Sequence, residues 1–306
     1  MTEKEIRNQL QRIRALQEDI RQYRRVDVSR GYARTMRRIR SRQRHILTRS
    51  LFQKAAAVLF VPLLVSTLVL LHRANRGAAQ ATGYAEVNVL PGMFMRIELP
   101  DHSHVWLNSE SVLRYPVAFG SDSRPVELDG EAFFDVRSDA GRPFEVTAPS
   151  GMKVVARGTA FNVKAYGADS LSEVVLAEGA VDVTYRHSRT TIRPGEMMQL
   201  NRQSGQLSGA RVNVDEKTAW KDGRIIFRNT PIEEVMKQLA RRYGVDITFQ
   251  NPGNRPFRVR ATFSTETVAQ VLDYLKLAAP LEWRAEETRQ NADDTFERPH
   301  IYVQIR

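Results

Sequence analysis

The sequence predicts an α+β, multi-domain membrane protein: a helical arm, one transmembrane helix, an all-β domain and a small α+β domain built as βαβ repeats. Three observations carry this. An uncharged apolar run follows a strongly basic start. Short alternating segments with turn signals at roughly 8–12-residue spacing come next, and then strands separated by helical periodicity. The boundaries implied are 1–54 for the arm, 55–72 for the membrane helix, 73–86 for a tether, 87–212 for the β domain and 213–306 for the C-terminal domain.

The net charge of +11 sits at one end of the chain. Residues 1–54 hold sixteen Lys/Arg against five acids, and residues 55–306 hold thirty of each sign. Within the arm, Ile6, Leu10, Ile13, Leu16, Ile20 and Tyr23 recur at spacings of three and four, an apolar stripe on one helix face. Ser29-Arg30-Gly31 interrupts it, and Tyr32, Met36, Ile39, Ile46 and Leu47 suggest a second amphipathic helix. Two roles remain open for this arm: a lipid-associated segment with arginines against anionic headgroups, or a ligand offering its stripe to a groove on a cytoplasmic protein. The arm carries no DNA-reading motif, so no direct nucleic-acid partner is expected.

Ala55 to Leu71 is seventeen residues without a charge. As a helix it spans about 25 Å, and Lys54, His72 and Arg73 can extend its reach by snorkelling. Pro62, a breaker in water, is tolerated in a membrane helix. A cleaved signal peptide is disfavoured because the basic arm is far longer than such a leader's charged region. Basic residues crowd the preceding flank while only Arg73 and Arg76 follow closely, which places the amino terminus in the cytoplasm. The expected location is the inner membrane, single-pass, with the C-terminal domains periplasmic.

Beyond the small, polar stretch 77–84, strands are expected at Arg96–Leu99, His104–Leu107, Val126–Leu128, Ala132–Val136, Phe144–Thr147, Lys153–Ala156, Ala160–Ala165, Glu173–Leu176, Ala180–Tyr185 and Met197–Leu200. Asp129-Gly130, Glu178-Gly179 and Pro194-Gly195 read as tight turns. The final stretch differs. A strand ends at Phe227, and Pro231 opens a helix with Ile232, Val235, Leu239 and Tyr243 as its stripe and Gly244 as its stop. Strands follow at Val245–Phe249 and Phe257–Phe263. Thr265 then caps a helix striped by Val268, Val271, Leu272 and Leu275, and Leu281–Arg284 and Ile301–Ile305 close the domain.

Catalytic chemistry is not legible. There is no cysteine, which excludes disulfides, zinc–thiolate sites and thiol nucleophiles. His102 and His104 would share one strand face, but Asp101 would point away and no third metal ligand is evident. Asp129, Glu131 and Asp135 read as turn chemistry rather than an acid pair. Trp106, Trp220 and Trp283 read as core anchors. No enzyme activity, cofactor or metal is expected.

The segment Leu99-Pro-Asp-His-Ser-His-Val-Trp-Leu-Asn108 resembles the strand–turn–strand of the FecR-type iron-dicitrate sensors. Further likenesses are Val126-Glu-Leu-Asp-Gly-Glu-Ala-Phe-Phe-Asp-Val136, Pro143-Phe-Glu-Val146, Gly158-Thr-Ala-Phe-Asn-Val-Lys-Ala-Tyr166 and Glu178-Gly-Ala-Val181, in that family's order. The motif positions are Leu99, Asp101, Leu107, Asn108, Gly130, Glu131, Phe134, Pro143, Phe144, Gly158, Thr159, Phe161, Asn162, Val163, Glu178 and Gly179, joined by Trp220, Gly223 and Phe227 in the last part. His102 stands where the family usually has Gly, and Arg157 where it usually has Leu. The C-terminal domain is similar to the short amino-terminal domain of secretins and TonB-dependent transporters, which implies protein docking.

The resemblance implies a transmembrane anti-sigma factor. It would relay a periplasmic signal from the signalling domain of a TonB-dependent outer-membrane transporter to an extracytoplasmic-function (ECF) sigma factor. The candidate sigma-contacting residues are Ile6, Leu10, Ile13, Leu16, Ile20, Tyr23 and Tyr32. The arm is shorter than the family's usual cytoplasmic domain, so the alternative is a membrane-anchored periplasmic interaction module that has lost sigma binding.

Overall fold

The computed structural model describes residues 12–18, 20, 21, 29, 32–38, 60, 62–71, 83–286 and 297–306. The chain divides into two compact units, Met1–Arg76 and Gly77–Arg306.

In the first unit the described residues are helical, at 12–18, 20–21, 29, 32–38, 60 and 62–71. Ile13, Leu16, Ile20 and Tyr32 are exposed, as the helical spacing of the stripe requires if nothing within the unit covers it. Ile6, Leu10 and Tyr23 lie outside the described residues, as does most of the tether. Among the described residues no helix is long and apolar enough to cross a membrane; of the expected span 55–72, the structure describes 60 and 62–71. Within that stretch the hydroxyls of Ser66 and Thr67 both donate to the Leu63 carbonyl.

The second unit begins with thirteen strands. They are β1 (Tyr84–Asn88), β2 (Met95–Glu98), β3 (His104–Leu107), β4 (Val112–Pro116), β5 (Arg124–Asp135), β6 (Phe144–Thr147) and β7 (Lys153–Ala156). After them come β8 (Ala160–Ala165), β9 (Leu171–Glu178), β10 (Val181–Tyr185), β11 (Ser188–Ile192), β12 (Glu196–Asn201) and β13 (Leu207–Arg211). One sheet has the order β1-β4-β5-β6-β7-β10-β11 and the other β2-β3-β5-β8-β9-β12-β13, so β5 belongs to both. Only the β5–β6 pair is parallel. The inward residues of both sheets make one apolar core, with Phe134 stacked on Phe161 at 5.1 Å and tilted against Phe144 at 5.7 Å.

The strands depart from the pattern expected of the residues at several points. Asp129-Gly130 is not a turn but the middle of β5, where the strand passes from one sheet to the other. Gly130 has φ 132°, and a Cβ there would come within 2.6 Å of Ser111 Cα, so only glycine lets β4 and β5 approach this closely. β1 starts at Tyr84, inside the stretch assigned to the tether. β1, β4, β11 and β13 were not foreseen. β1, β11 and β13 are edge strands, and β11 and β13 have almost no buried face, which removes the alternation that would announce them. His102 is not on a strand: it occupies the turn before β3 with φ 65°, the left-handed region that glycine enters most easily.

The remainder holds α1 (Val214–Thr218), a 3-10 turn (Ala219–Asp222), β14 (Ile225–Pro231), α2 (Ile232–Tyr243), β15 (Asp246–Gln250), β16 (Arg258–Phe263), α3 (Val268–Ala278), β17 (Leu281–Ala285) and β18 (His300–Ile305). In α2, Glu233 and Glu234 begin the helix and Arg241 and Arg242 end it, complementing its dipole, and Gly244 terminates it in the left-handed region. The cap of α3 is Thr267, two residues beyond the expected Thr265, because Gln270 completes a capping box with it. The strand–helix–strand order is as expected, but the strands flanking each helix do not pair. Instead β14 pairs β16, while β15 lies parallel to β18 and β18 antiparallel to β17. Both helices pack on a core of Phe227, Leu239, Leu272, Val303 and their neighbours.

Candidate interaction site at the domain junction

The outer face of the second sheet is covered by the segment that follows it. Strand register sets a row across four strands: Glu131 of β5 faces Lys164 of β8, Lys164 faces Glu173 of β9, and Glu173 faces Gln199 of β12. Alternating period-2 residues thus place opposite charges side by side. The next row, Phe133, Asn162, Val175 and Met197, lies beside it.

The C-terminal segment answers this ladder group by group. Lys164 Nζ donates to Glu234 Oε1 of α2 at 2.8 Å, and Lys217 Nζ of α1 donates to Glu173 Oε2 at 2.9 Å. Trp220 Nε1 donates to Asn162 Oδ1 at 3.2 Å, and Asn162 Nδ2 donates to Glu131 Oε1 at 2.9 Å. The other Glu131 oxygen accepts from Asn108 Nδ2 at 2.8 Å. Glu131 is therefore a buried, fully engaged carboxylate and not a turn residue; Asp129 accepts from the Gly167 amide. Arg241 grips Asp169 through two hydrogen bonds, of 2.9 and 2.6 Å, and lies 3.9 Å over the Tyr166 ring. Arg298 completes the seam on Glu110.

Burial works against the charge on Lys164, but Glu234, Glu131 and Glu173 outweigh it and hold its ammonium above the ordinary lysine value. Burial likewise opposes ionisation of Glu173 and Glu234, and the facing lysines still hold both carboxyls below their usual range. Burial pushes the Tyr166 phenol up, so it stays a donor, to the Ser109 carbonyl at 2.9 Å.

A cleft of about 470 Å³ runs along this seam, lined by Glu131, Asn162, Lys164, Trp220, Glu234 and Arg241 among others. Within it Lys164 pairs with Glu234, Lys217 with Glu173 and Arg241 with Asp169, an arrangement that holds two modules in register. No cluster of three or more His, Asp or Glu able to hold a metal occurs among the described residues.

The family-motif residues serve this frame. Leu99, Leu107, Phe134, Phe144, Phe161 and Val163 fill the core. Asp101 forms a buried ion pair with Arg124 at 2.6 Å, with side-chain exposures of 5% and 1%, and also accepts from Ser103. Pro143 accepts from the Arg124 amide, while Gly158 and Gly179 take positive φ beside Thr159. Trp220 is buried, and Phe227 fills the second core; Gly223 is the left-handed stop of the 3-10 turn. Trp106 is not a core anchor but lies half-buried beneath Arg96, whereas Trp283, also half-buried, packs against the second core and donates to Asp273. Lys164, Asp169, Glu173, Gln199, Glu234 and Arg241 were not foreseen as site residues. For Lys164, Glu173 and Gln199 the signal is a polar residue at matching outward positions of β8, β9 and β12, whereas Asp169 lies in the loop between β8 and β9 and Glu234 and Arg241 lie on α2, where nothing local marks them.

Two family profiles match the chain: "FecR protein" over residues 85–182 and "FecR, C-terminal" over residues 224–291. Two crystal structures of a "putative anti-sigma factor" from Parabacteroides distasonis ATCC 8503 superpose on it. The first, at 31% identity and TM-score 0.63, covers 72% of this chain and 98% of the other. The second, at 32% identity and the same TM-score, covers 72% and 99%. The chain belongs to the FecR family. No curated protein matches it in sequence. In FecR terms, the thirteen-stranded domain with its FecR match carries the charged ladder, and the segment matching the FecR C-terminal profile supplies Glu234 and Arg241 to it.

Proposed function

We propose that this FecR-family chain is a single-pass inner-membrane anti-sigma factor. Residues 1–54 face the cytoplasm and bind an ECF sigma factor, and the C-terminal domains receive a periplasmic signal from the signalling domain of a TonB-dependent transporter. The observation that carries the reading is the near-complete overlap with the P. distasonis structures, 98% of the first, which bear an anti-sigma description. Three features support it. The excess positive charge is confined to one flank of the apolar run. The described helical residues 62–71 leave large apolar side chains such as Leu63, Leu68 and Leu71 exposed while their hydroxyls are satisfied internally, as lipid requires. Both FecR profile matches lie beyond residue 84, on the other side of the apolar run from the basic arm.

The test is capture of an ECF sigma factor from the host by the detergent-solubilised full chain, compared with a chain lacking residues 1–54. Retention by the full chain and loss on truncation is the expected result. Equal absence from both, with unchanged transcription on deletion, would leave the periplasmic interaction module in its place.

A further inference from the structure

Among the described residues of the second unit, the exposed large apolar side chains lie closest together in sequence at the turn between β1 and β2 and the first residue of β2. Leu90 is 62% exposed, Met93 58%, Phe94 47% and Met95 43%. These side chains are displayed by a rigid turn. The Met93 amide donates to the Leu90 carbonyl at 3.2 Å, closing a turn with Pro91 and Gly92 at its centre and φ 75° at Gly92. The Gly92 amide donates to the buried Ser109 hydroxyl at 2.8 Å, and the Gly92 backbone packs on Gly244, where any side chain would meet the Tyr243 carbonyl. The scaffold thus fixes a convex apolar knob in water, which costs solvation unless something covers it.

We infer that this knob inserts into the outer leaflet of the membrane that holds the anchor, seating the β domain on the lipid surface. The inference rests on the membrane-anchored reading above. Two observations favour lipid over a protein partner. Residues 72–83 alone connect the apolar run to β1, a reach of about 40 Å fully extended, so the β domain stays tethered within reach of the bilayer and lipid is always at high local concentration around the knob. A weak insertion then acts as an intramolecular contact. The charge also matches anionic headgroups. The Arg242 guanidinium lies over the Phe94 ring at 5.9 Å while donating to the Gly223 carbonyl, Arg96 of β2 lies over the Trp106 ring at 4.8 Å, and neither makes an ion pair among the described residues, so both keep their charge uncompensated. The nearby carboxylates are already engaged, Glu98 by His102 and Glu110 by Arg298. Apolar residues at the interface with cations beside them is the pattern of an interfacial contact.

The absence of cysteine makes the test direct. Full chains carrying Met93→Cys, Leu64→Cys or Ser188→Cys, each labelled with an environment-sensitive fluorophore, are reconstituted in phosphatidylcholine–phosphatidylglycerol vesicles containing spin-labelled lipid. Label at Met93→Cys should be blue-shifted and quenched, whereas label at Ser188→Cys, on the exposed edge strand β11, should be neither. Adding Leu90→Ser and Phe94→Ser, or Arg242→Glu, should bring quenching at position 93 down to the level of position 188. Quenching at 93 equal to that at 188 in the otherwise unaltered chain overturns the inference. Label at Leu64→Cys reports separately: if it is quenched while 93 is not, the seating fails and the anchor stands, and if it is unquenched the anchor itself is refuted.

Discussion

The two domains of the second unit solve the same burial problem differently. Apart from Thr218, every buried polar or charged residue among those described there belongs to the β domain: Ser103, Ser109, Ser111, Arg124, Glu131, Thr159, Asn162 and Ser172. The core beyond β14 is apolar throughout. The difference follows from topology. β5 must change sheets in mid-strand, and a slip of one residue would turn Phe134 outward and Glu131 inward. Hydrogen-bonded polar groups on both sides of the crossing penalise that slip: the Asp101–Arg124 pair before it, and the Ser111–Glu131–Asn162 set after it. The helices of the C-terminal domain need no such device, since caps and apolar stripes already fix their packing.

Removing one partner of the buried pair should break this contrast most visibly. Arg124→Met leaves Asp101 buried without its counter-charge and should cost about 4 kcal/mol in urea-induced unfolding. Replacing Asp101 by Ser in the same chain should return most of that loss. A cost for Arg124→Met below that of a simple cavity would mean the polar groups are incidental to the β core.

The matching cut in the apolar core is Leu239→Ala, fully buried on α2, with an expected loss of about 3 kcal/mol. Hydrogen exchange should quicken in α2, α3 and the strands beneath them and leave β5 protected. Spread of the faster exchange into β5 would show the two cores to be one cooperative unit.

At the seam, Trp220→Phe keeps most of the ring but deprives Asn162 Oδ1 of its donor, and should cost about 1 kcal/mol. The smallest effect should come from acid. Glu173 and Glu234 have depressed values in the folded chain, so their contribution is complete above the ordinary glutamate value of 4.5 and fades as the pH falls through the depressed ones. Lys164 is raised, so its contribution holds below the ordinary lysine value and is lost only at strongly alkaline pH. Fluorescence of Trp220, isolated by Trp106→Phe and Trp283→Phe, should shift to the red below pH 4.5 before far-ultraviolet dichroism changes. Coincident changes would place acid sensitivity in the cores rather than at the seam.

Legibility differed by feature. Strands with one buried face, such as β6, β7 and β8, and helices with caps and stripes could be placed closely from the residues alone, because period and terminus chemistry are local. β11 and β13, exposed at nearly every position, left no such trace. Asp129-Gly130 shows the opposite failure: a dipeptide typical of turns serves here as the hinge of a continuous strand, because Ser111 approaches from β4 and closes the space a side chain would need.

The sequence alone determined the separation of a cationic arm from an electrically balanced body, the positions of most strands and both long helices, and the motifs that mark a FecR protein. Tertiary structure decided which strands became neighbours. It joined Glu131, Lys164, Glu173 and Gln199 into one row, paired β14 with β16 across an intervening helix and strand, and set Trp220 against Asn162. Alternation tells which face of a strand is wet, but not what lies beside it. That choice falls to contacts between residues far apart in the chain, which exist only once the whole domain has closed.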